Sequence, residues 1–253
     1  MTAIAPSALH EQLDELAGIL AQLDESDWGR STRCEGWNVT DVVLHLAQTN
    51  EMAIASLEGR YGEVVGQLTA GLPPASNVDE GAAAMVARDR EDLSVAAVHD
   101  RWTQSAATLA SLAISSDPRS RVPWVAAQLS VRTLVTTRLA ETWIHTGDVA
   151  GAVGVRLVPT ERLHEVARLA WRTLPYAFEQ ARRTLAGPVA FHLQGPTGAS
   201  WDFVPDGDAV TVIRGSGHEL CQLAARRVSP GDTSLSGEGP DTSTVLDLVR
   251  TYA

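Results

Sequence analysis

The sequence predicts an α+β chain: a helical bundle over residues 1–180 followed by a small α/β domain over residues 185–253. Two changes of pattern carry this prediction. Through the first two-thirds, apolar residues recur at three- and four-residue spacings, the period of an amphipathic helix. After residue 185, Val189, Phe191 and Leu193 alternate with Ala190 and His192, the period of a strand. Length agrees, because 253 residues suffice for one large domain or two small ones. Such a chain buries about 70–75% of its unfolded surface and needs no disulfide staples.

The elements follow in order. Leu13, Leu16, Ile19, Leu20 and Leu23 define a first helix over 8–23, with Ser7 placed to cap it. A turn-rich stretch runs from Asp24 to Gly36. A second helix begins near Val39 or Thr40, carries Asp41 in its first turn where the helix dipole favours an anion, and extends to about Gly59. The Gly, Pro and Ser content of Ala70–Asn77 marks a loop. A third long helix spans 79–114 and stops at Asp117-Pro118. A fourth covers Val125–Ala150, and a fifth Thr160–Leu174 after a Gly-Pro linker. In the second domain, Trp201–Val204 and Val210–Ile213 are expected as a hairpin turning at Pro205–Asp208. A helix over 217–227, a short strand over 233–236 and a terminal helix over 240–252 complete the chain.

Charge and composition exclude several functions. The net charge of −11 disfavours a binder of nucleic-acid phosphates or of an acidic membrane surface. No apolar run reaches the about 18 residues a membrane-spanning helix needs. The N-terminal residues have no basic n-region and no continuous apolar segment, so no signal peptide is expected and the chain is taken as cytoplasmic. Its two cysteines, Cys34 and Cys221, are then reduced thiols. No obligate protein partner is evident. Every basic residue is arginine, a bias that matches the GC-rich coding of actinobacteria.

Two segments carry candidate chemistry. In Arg138–Ala150, Glu141 and His145 stand four residues apart, so a helix places both on one face, one turn from each other. His45 lies mid-helix in an apolar stretch, and points either into the bundle or along its edge. Where the second and fourth helices are neighbours, His45, Glu141 and His145 form a His₂-Glu set with an open coordination position, the pattern of a catalytic divalent metal. Spacing alone leaves the ordinary alternatives open, a solvated i,i+4 pair and a core histidine. The remaining candidates read as packing or surface: Cys34 and Cys221 as structural thiols, Trp37 and Trp143 as packing residues, and His10, His99, His164, His192 and His218 as histidines outside any ligand spacing.

The stretch Cys34-Glu-Gly-Trp37-Asn-Val-Thr-Asp-Val-Val-Leu-His45 resembles the Cys-Pro-Gly-Trp…His signature of the mycothiol-dependent maleylpyruvate isomerase family, within the DinB-like metal-binding bundles. Arg138…Glu141…His145…Asp148 is similar to that family's second metal motif. Gly217–Arg227 and Gly237–Arg250 resemble its small C-terminal domain, related to sterol-carrier folds. The chain departs at Glu35, often Pro in the family, and at Leu223-Ala-Ala-Arg-Arg227, where some relatives have Trp-Leu-x-Gly-Arg.

The resemblance implies an N-terminal four-helix bundle of up-down-down-up type. It implies metal ligation by His45, Glu141 and His145, with Zn²⁺ the expected ion and Ni²⁺, Fe²⁺ or Mn²⁺ compatible with the donors. It implies mycothiol as thiol cosubstrate and an electrophilic small molecule as substrate. It gives Asp148 a role in orienting a ligand or the thiol, and Arg227 with Arg226 an anchoring role from the small domain. Arg214 and Arg33 are further candidates for holding a carboxylate. Two outcomes share a first step: cis–trans isomerisation of a maleylpyruvate-type substrate, or thiol S-transfer. Hydrolysis by a metal-activated water, and a binding module without turnover, stand as the alternatives.

Overall fold

The computed structural model describes residues 4–125 and 127–251, and divides into two compact units that meet in sequence at Leu157 and Val158. The first is helical. α1 (Ile4–Leu20), α2 (Val39–Leu57), α5 (Val95–Ser115) and α6 (Val131–Val153) form the bundle, α2 packing on α5 and α6, and α1 on α6 and α5. Its core is aliphatic: Leu9, Leu16, Leu44, Leu46, Leu109, Leu134 and Leu139 are fully buried. Two shorter helices, α3 (Tyr61–Leu68) and α4 (Val78–Arg90), pack on α2, with Met52, Leu68 and Met85 as a satellite cluster. Among the described residues, no helix is long and apolar enough to cross a membrane.

Several expected boundaries move, each for a local reason. α1 starts earlier than Ser7, since Pro6 is tolerated in a first turn and Ala5 and Ala8 join the core. α3 was not expected from the pattern. The third helix is two helices, because Ser94 adopts an extended backbone and its side chain accepts from Ala97 N, restarting the helix as α5. The fourth begins at Val131 rather than Val125. The residues before it form a two-stranded ribbon, β1 (Arg121–Pro123) with β2 (Gln128–Ser130), and Ser130 caps α6 through Thr133 N. Ala126, inside the expected helix, lies outside the described residues.

The second unit begins well before the 180–185 boundary expected from sequence. α7 (Leu163–Arg172) buries Leu163, Val166, Ala167 and Ala170 and packs on α9 (Gly217–Ala224) and on β4 (Ser200–Phe203), so it belongs with the sheet. The fifth expected helix ends at Arg172, and a further one, α8 (Leu174–Gln180), has Pro175 in its first turn. The sheet order is β4-β3-β5-β6, with β3 (Val189–Gln194), β5 (Thr211–Ser216) and β6 (Ser236–Glu238).

The expected hairpin is corrected. β4 pairs antiparallel with β3, not with β5, while β3 and β5 run parallel. The tight turn is Gly195–Ala199, closed by Gly195 N to Ala199 O at 2.7 Å, and Gly198 holds a left-handed φ of +89° there. Residues 205–208 instead lie in the connection that carries the chain from β4 to β5. α9 ends at Ala224 rather than 227, and the terminal helix is α10 (Thr242–Leu248). Tyr252 lies outside the described residues.

Candidate metal centre

Local sequence chemistry builds both helices that carry the site. α2 opens with a capping box: Asp41 N donates to Asn38 Oδ1 at 3.0 Å, and Asn38 N to Asp41 Oδ2 at 3.0 Å. Arg90 Nε donates to Asp41 Oδ1 at 3.1 Å and fixes the box to α4. His45 lies two turns further along α2 and is 7% exposed. Before α2, a loop is pinned by Thr32 N to Trp37 O at 2.9 Å and Trp37 N to Cys34 O at 3.0 Å, with Gly36 at φ +77°. On α6, Glu141, His145 and Asp148 follow at intervals of four and three, which keeps them on one face.

Packing of α2 on α6 brings these residues together. Glu141 Oε1 lies 2.7 Å from His45 Nε2 and 3.4 Å from His145 Nε2. The two imidazole centroids are 5.1 Å apart, nearly perpendicular at 76°. One ring nitrogen from each histidine and a Glu141 carboxylate oxygen all lie within 4.8 Å of one another. His145 Nδ1 faces Asp148 Oδ2 at 3.0 Å, and the Cys34 thiol donates to the same oxygen at 3.2 Å. Cys34 Sγ is 3.9 Å from His145 Nδ1. Trp37 packs on His45 at a centroid distance of 5.1 Å.

The electrostatics follow from burial and these bonds. Burial favours the neutral form of Glu141, but the His145 and His45 bonds and charges outweigh it and hold the carboxyl well below its ordinary range. Burial likewise disfavours the charged form of His145, but bonds to Asp148, Cys34 and Glu141 raise it well above its ordinary value. For His45 burial wins, and its pKa is lowered. The Glu141 carboxylate thus lies between an imidazole whose hold on its proton is strengthened, His145, and one whose hold is weakened, His45.

The donor set suits a divalent ion. Two imidazole nitrogens and one carboxylate oxygen converge, and a carboxylate fixes the far nitrogen of one imidazole, the arrangement that orients metal-bound histidines. The three expected ligands and Asp148 are therefore brought together. Arg226 and Arg227 stand in the second unit just beyond α9. Arg226 takes a left-handed φ of +58°, and Arg227 Nη1 donates to Ala225 O at 3.0 Å.

Cys34, read from the sequence as a structural thiol, lies against Asp148 and His145, a contact no local pattern reports because the residues are 111 and 114 apart. Sequence reasoning also assigned no role to Arg138, discussed below. Cys221 is buried as expected and donates to Leu163 O at 3.5 Å.

With this geometry in hand, comparison with known proteins is specific. The mycothiol maleylpyruvate isomerase N-terminal domain family matches residues 9–150, from within α1 to within α6. The chain belongs to this family. Two uncharacterised Mycobacterium tuberculosis proteins, from different strains, are each 28% identical over 246 residues, covering 97% of this chain and 93% of theirs. The crystal structure of the mycothiol-dependent maleylpyruvate isomerase superposes with a TM-score of 0.60 at 17% identity, covering 94% of both chains. A histidine-to-alanine mutant of that enzyme gives 0.60 at 16% identity, again over 94% of both chains. At these identities the structural likeness extends the shared fold beyond the bundle into the second unit.

Proposed function

We propose that the protein is a mycothiol-dependent metalloenzyme that joins a thiol to an electrophilic small molecule, either transiently, as in cis–trans isomerisation of a maleylpyruvate-type substrate, or permanently, as in S-transfer. The observation that carries this reading is the convergence of ligand atoms from His45, Glu141 and His145 within 4.8 Å, in a family named for mycothiol and maleylpyruvate isomerase.

His45, Glu141 and His145 would hold the ion, with Zn²⁺ the expected species. When bound, a divalent ion would supply Lewis acidity and favour the thiolate form of a thiol that reaches it. The protein's own residues do the remainder. Glu141 stays anionic across the neutral range and offers a hard oxygen donor. Asp148 lies 3.0 Å from His145 Nδ1 and would hold the proton there, which would leave Nε2 as the nitrogen that binds the ion. Burial of His45, Glu141 and His145 keeps bulk water from competing for the site. Arg226 and Arg227 are proposed as anchors for carboxylates of the substrate or for the thiol cosubstrate, because guanidinium groups pair carboxylates bidentately.

The reaction class is addition of a thiol sulfur to an electron-poor double bond. Carbon–sulfur bond formation opens the π bond. Rotation and expulsion of the thiol give the trans isomer, whereas protonation of the adduct gives the thioether.

Incubating the protein with mycothiol and maleylpyruvate, and with a panel of neutral electrophiles, tests the reading. The expected result is thiol-dependent conversion of at least one compound, lost in Glu141→Ala. Conversion that proceeds equally without thiol would replace it with metal-assisted hydrolysis. Metal and ligand binding without any turnover would favour a binding module.

A further inference from the structure

Arg138 stands one helical turn before Glu141 on α6, and the arrangement described so far gives it no task. It is 2% exposed. Its Nη2 donates to Thr49 Oγ1 at 2.9 Å and to Asn50 Oδ1 at 3.3 Å, both neutral acceptors on α2. Its Nε is buried without an acceptor. Among the described residues no carboxylate forms an ion pair with it, whereas the fold pairs its more exposed arginines freely: Arg101 with Glu51 and Asp89, Arg90 with Asp41, Arg88 with Asp89. A buried guanidinium without an anionic partner carries a large desolvation cost. The anion that acts favourably on it through space is Glu141.

The charge count of the metal layer gives this cost a purpose. The Glu141 and Asp148 carboxylates and the Arg138 guanidinium together carry one negative charge. A divalent ion turns that into one positive charge, and a single anionic ligand then brings the layer to neutrality. Without Arg138, the layer is already neutral once the ion is bound, and a further anion leaves it with a net negative charge in a buried site, where uncompensated charge is expensive.

We propose that Arg138 sets the charge of the metal layer so that the site takes a second anionic ligand beside Glu141, of the class of a thiolate sulfur. This rests on the metal reading above. Arg138 also ties α6 to α2, since Thr49 Oγ1 in turn donates to His45 O at 2.9 Å. That tie is a matter of alignment rather than charge, and experiment can separate the two.

Cobalt(II) is loaded into the full-length wild type, Arg138→Met and Arg138→Lys, and each is titrated with thiocyanate while the d–d absorption is followed. Methionine fills similar volume without a charge, and replacing buried charge by an apolar side chain is commonly neutral or stabilising. The expected result is cobalt affinity in Arg138→Met equal to or tighter than wild type, with thiocyanate affinity reduced by about tenfold or more. Arg138→Lys keeps thiocyanate affinity within a few-fold. Unchanged thiocyanate affinity in Arg138→Met overturns the proposal. So does joint loss of cobalt affinity in both variants, or failure of Arg138→Met to fold, because either assigns the guanidinium to helix alignment. Absence of cobalt uptake by the wild type contradicts the metal reading itself, and the proposal falls with it.

Discussion

Asp148 Oδ2 is shared by His145 Nδ1 and the Cys34 thiol. The thiol therefore touches the far nitrogen of His145 weakly, at 3.9 Å, and acts on it chiefly through the shared carboxylate. Changing an outer partner of a metal-bound histidine costs about 10–100-fold in affinity, and a weak S–H donor one step further out costs less. Cys34→Ala is expected to weaken metal binding several-fold, and Cys34→Ser, which keeps a donor, to restore most of it, as measured by competition with a chromophoric chelator. Equal affinity in both variants and wild type would remove Cys34 from the site. The titrating groups add a second prediction. His145 is raised, so its contribution to stability is full below 6.5 and disappears as pH rises through its folded value. His45 is lowered, so its effect runs the other way, and stability falls as pH drops below 6.5. Glu141 is depressed, and its contribution is lost only as pH falls from 4.5 through its folded value. Chelator-treated protein should thus melt highest near pH 6.5, and bound metal, which replaces the proton on His145, should remove the decline on the alkaline side. A melting midpoint of metal-free protein that keeps climbing above 6.5 would contradict this assignment. The pair Glu141 and His145 was legible because its partners are one turn apart on one helix. Cys34 and His145 were not, because no local pattern reports a contact across 111 residues.

At the scale of elements, helix starts decide where the ligands lie. The Asn38–Asp41 box sets the first residue of α2, and His45 is seven residues from the cap. Asn38→Ala removes the side-chain acceptor for Asp41 N and should cost about 1 kcal/mol in denaturant unfolding of the full chain. A loss within about 0.2 kcal/mol would show that the cap is not holding the helix end. The long amphipathic runs of α1, α2, α5 and α6 were legible from period alone. Interruptions were harder. Ser94 and Ser130 each start a helix inside a stretch whose apolar pattern continues through, so the period carried on where the backbone did not. In the sheet, the expected turn at 205–208 and the observed one at 195–199 both hold turn residues. The Gly195–Ala199 segment won because Gly198 can take the positive φ its turn requires, while Val210 N is engaged by Pro188 O at 2.8 Å at the start of β5.

At the scale of the molecule, the chain carries a net charge of −11 and must still admit its substrate. Diffusion of an anion toward such a surface is opposed at low salt and less so as the Debye length shrinks from about 30 Å at 0.01 M to about 8 Å at 0.15 M. For a dicarboxylate substrate kcat/KM should therefore rise with ionic strength across that range, while for a neutral electrophile it should stay flat. A dicarboxylate whose kcat/KM falls with salt across that range would contradict this. The two-part architecture was legible in the change of period after residue 185. Its border was not, because α7 has the same helical pattern as the bundle and only its burial against α9 and β4 assigns it to the second unit. On the proposed reading, His45, Glu141 and His145 form one metal centre. The most direct test is elemental mass spectrometry of natively purified full-length protein beside Glu141→Ala. About one equivalent of zinc per chain in the wild type, lost in the variant while its circular dichroism is unchanged, is the predicted result. A wild type that holds no divalent metal, even after supplementation, would contradict it.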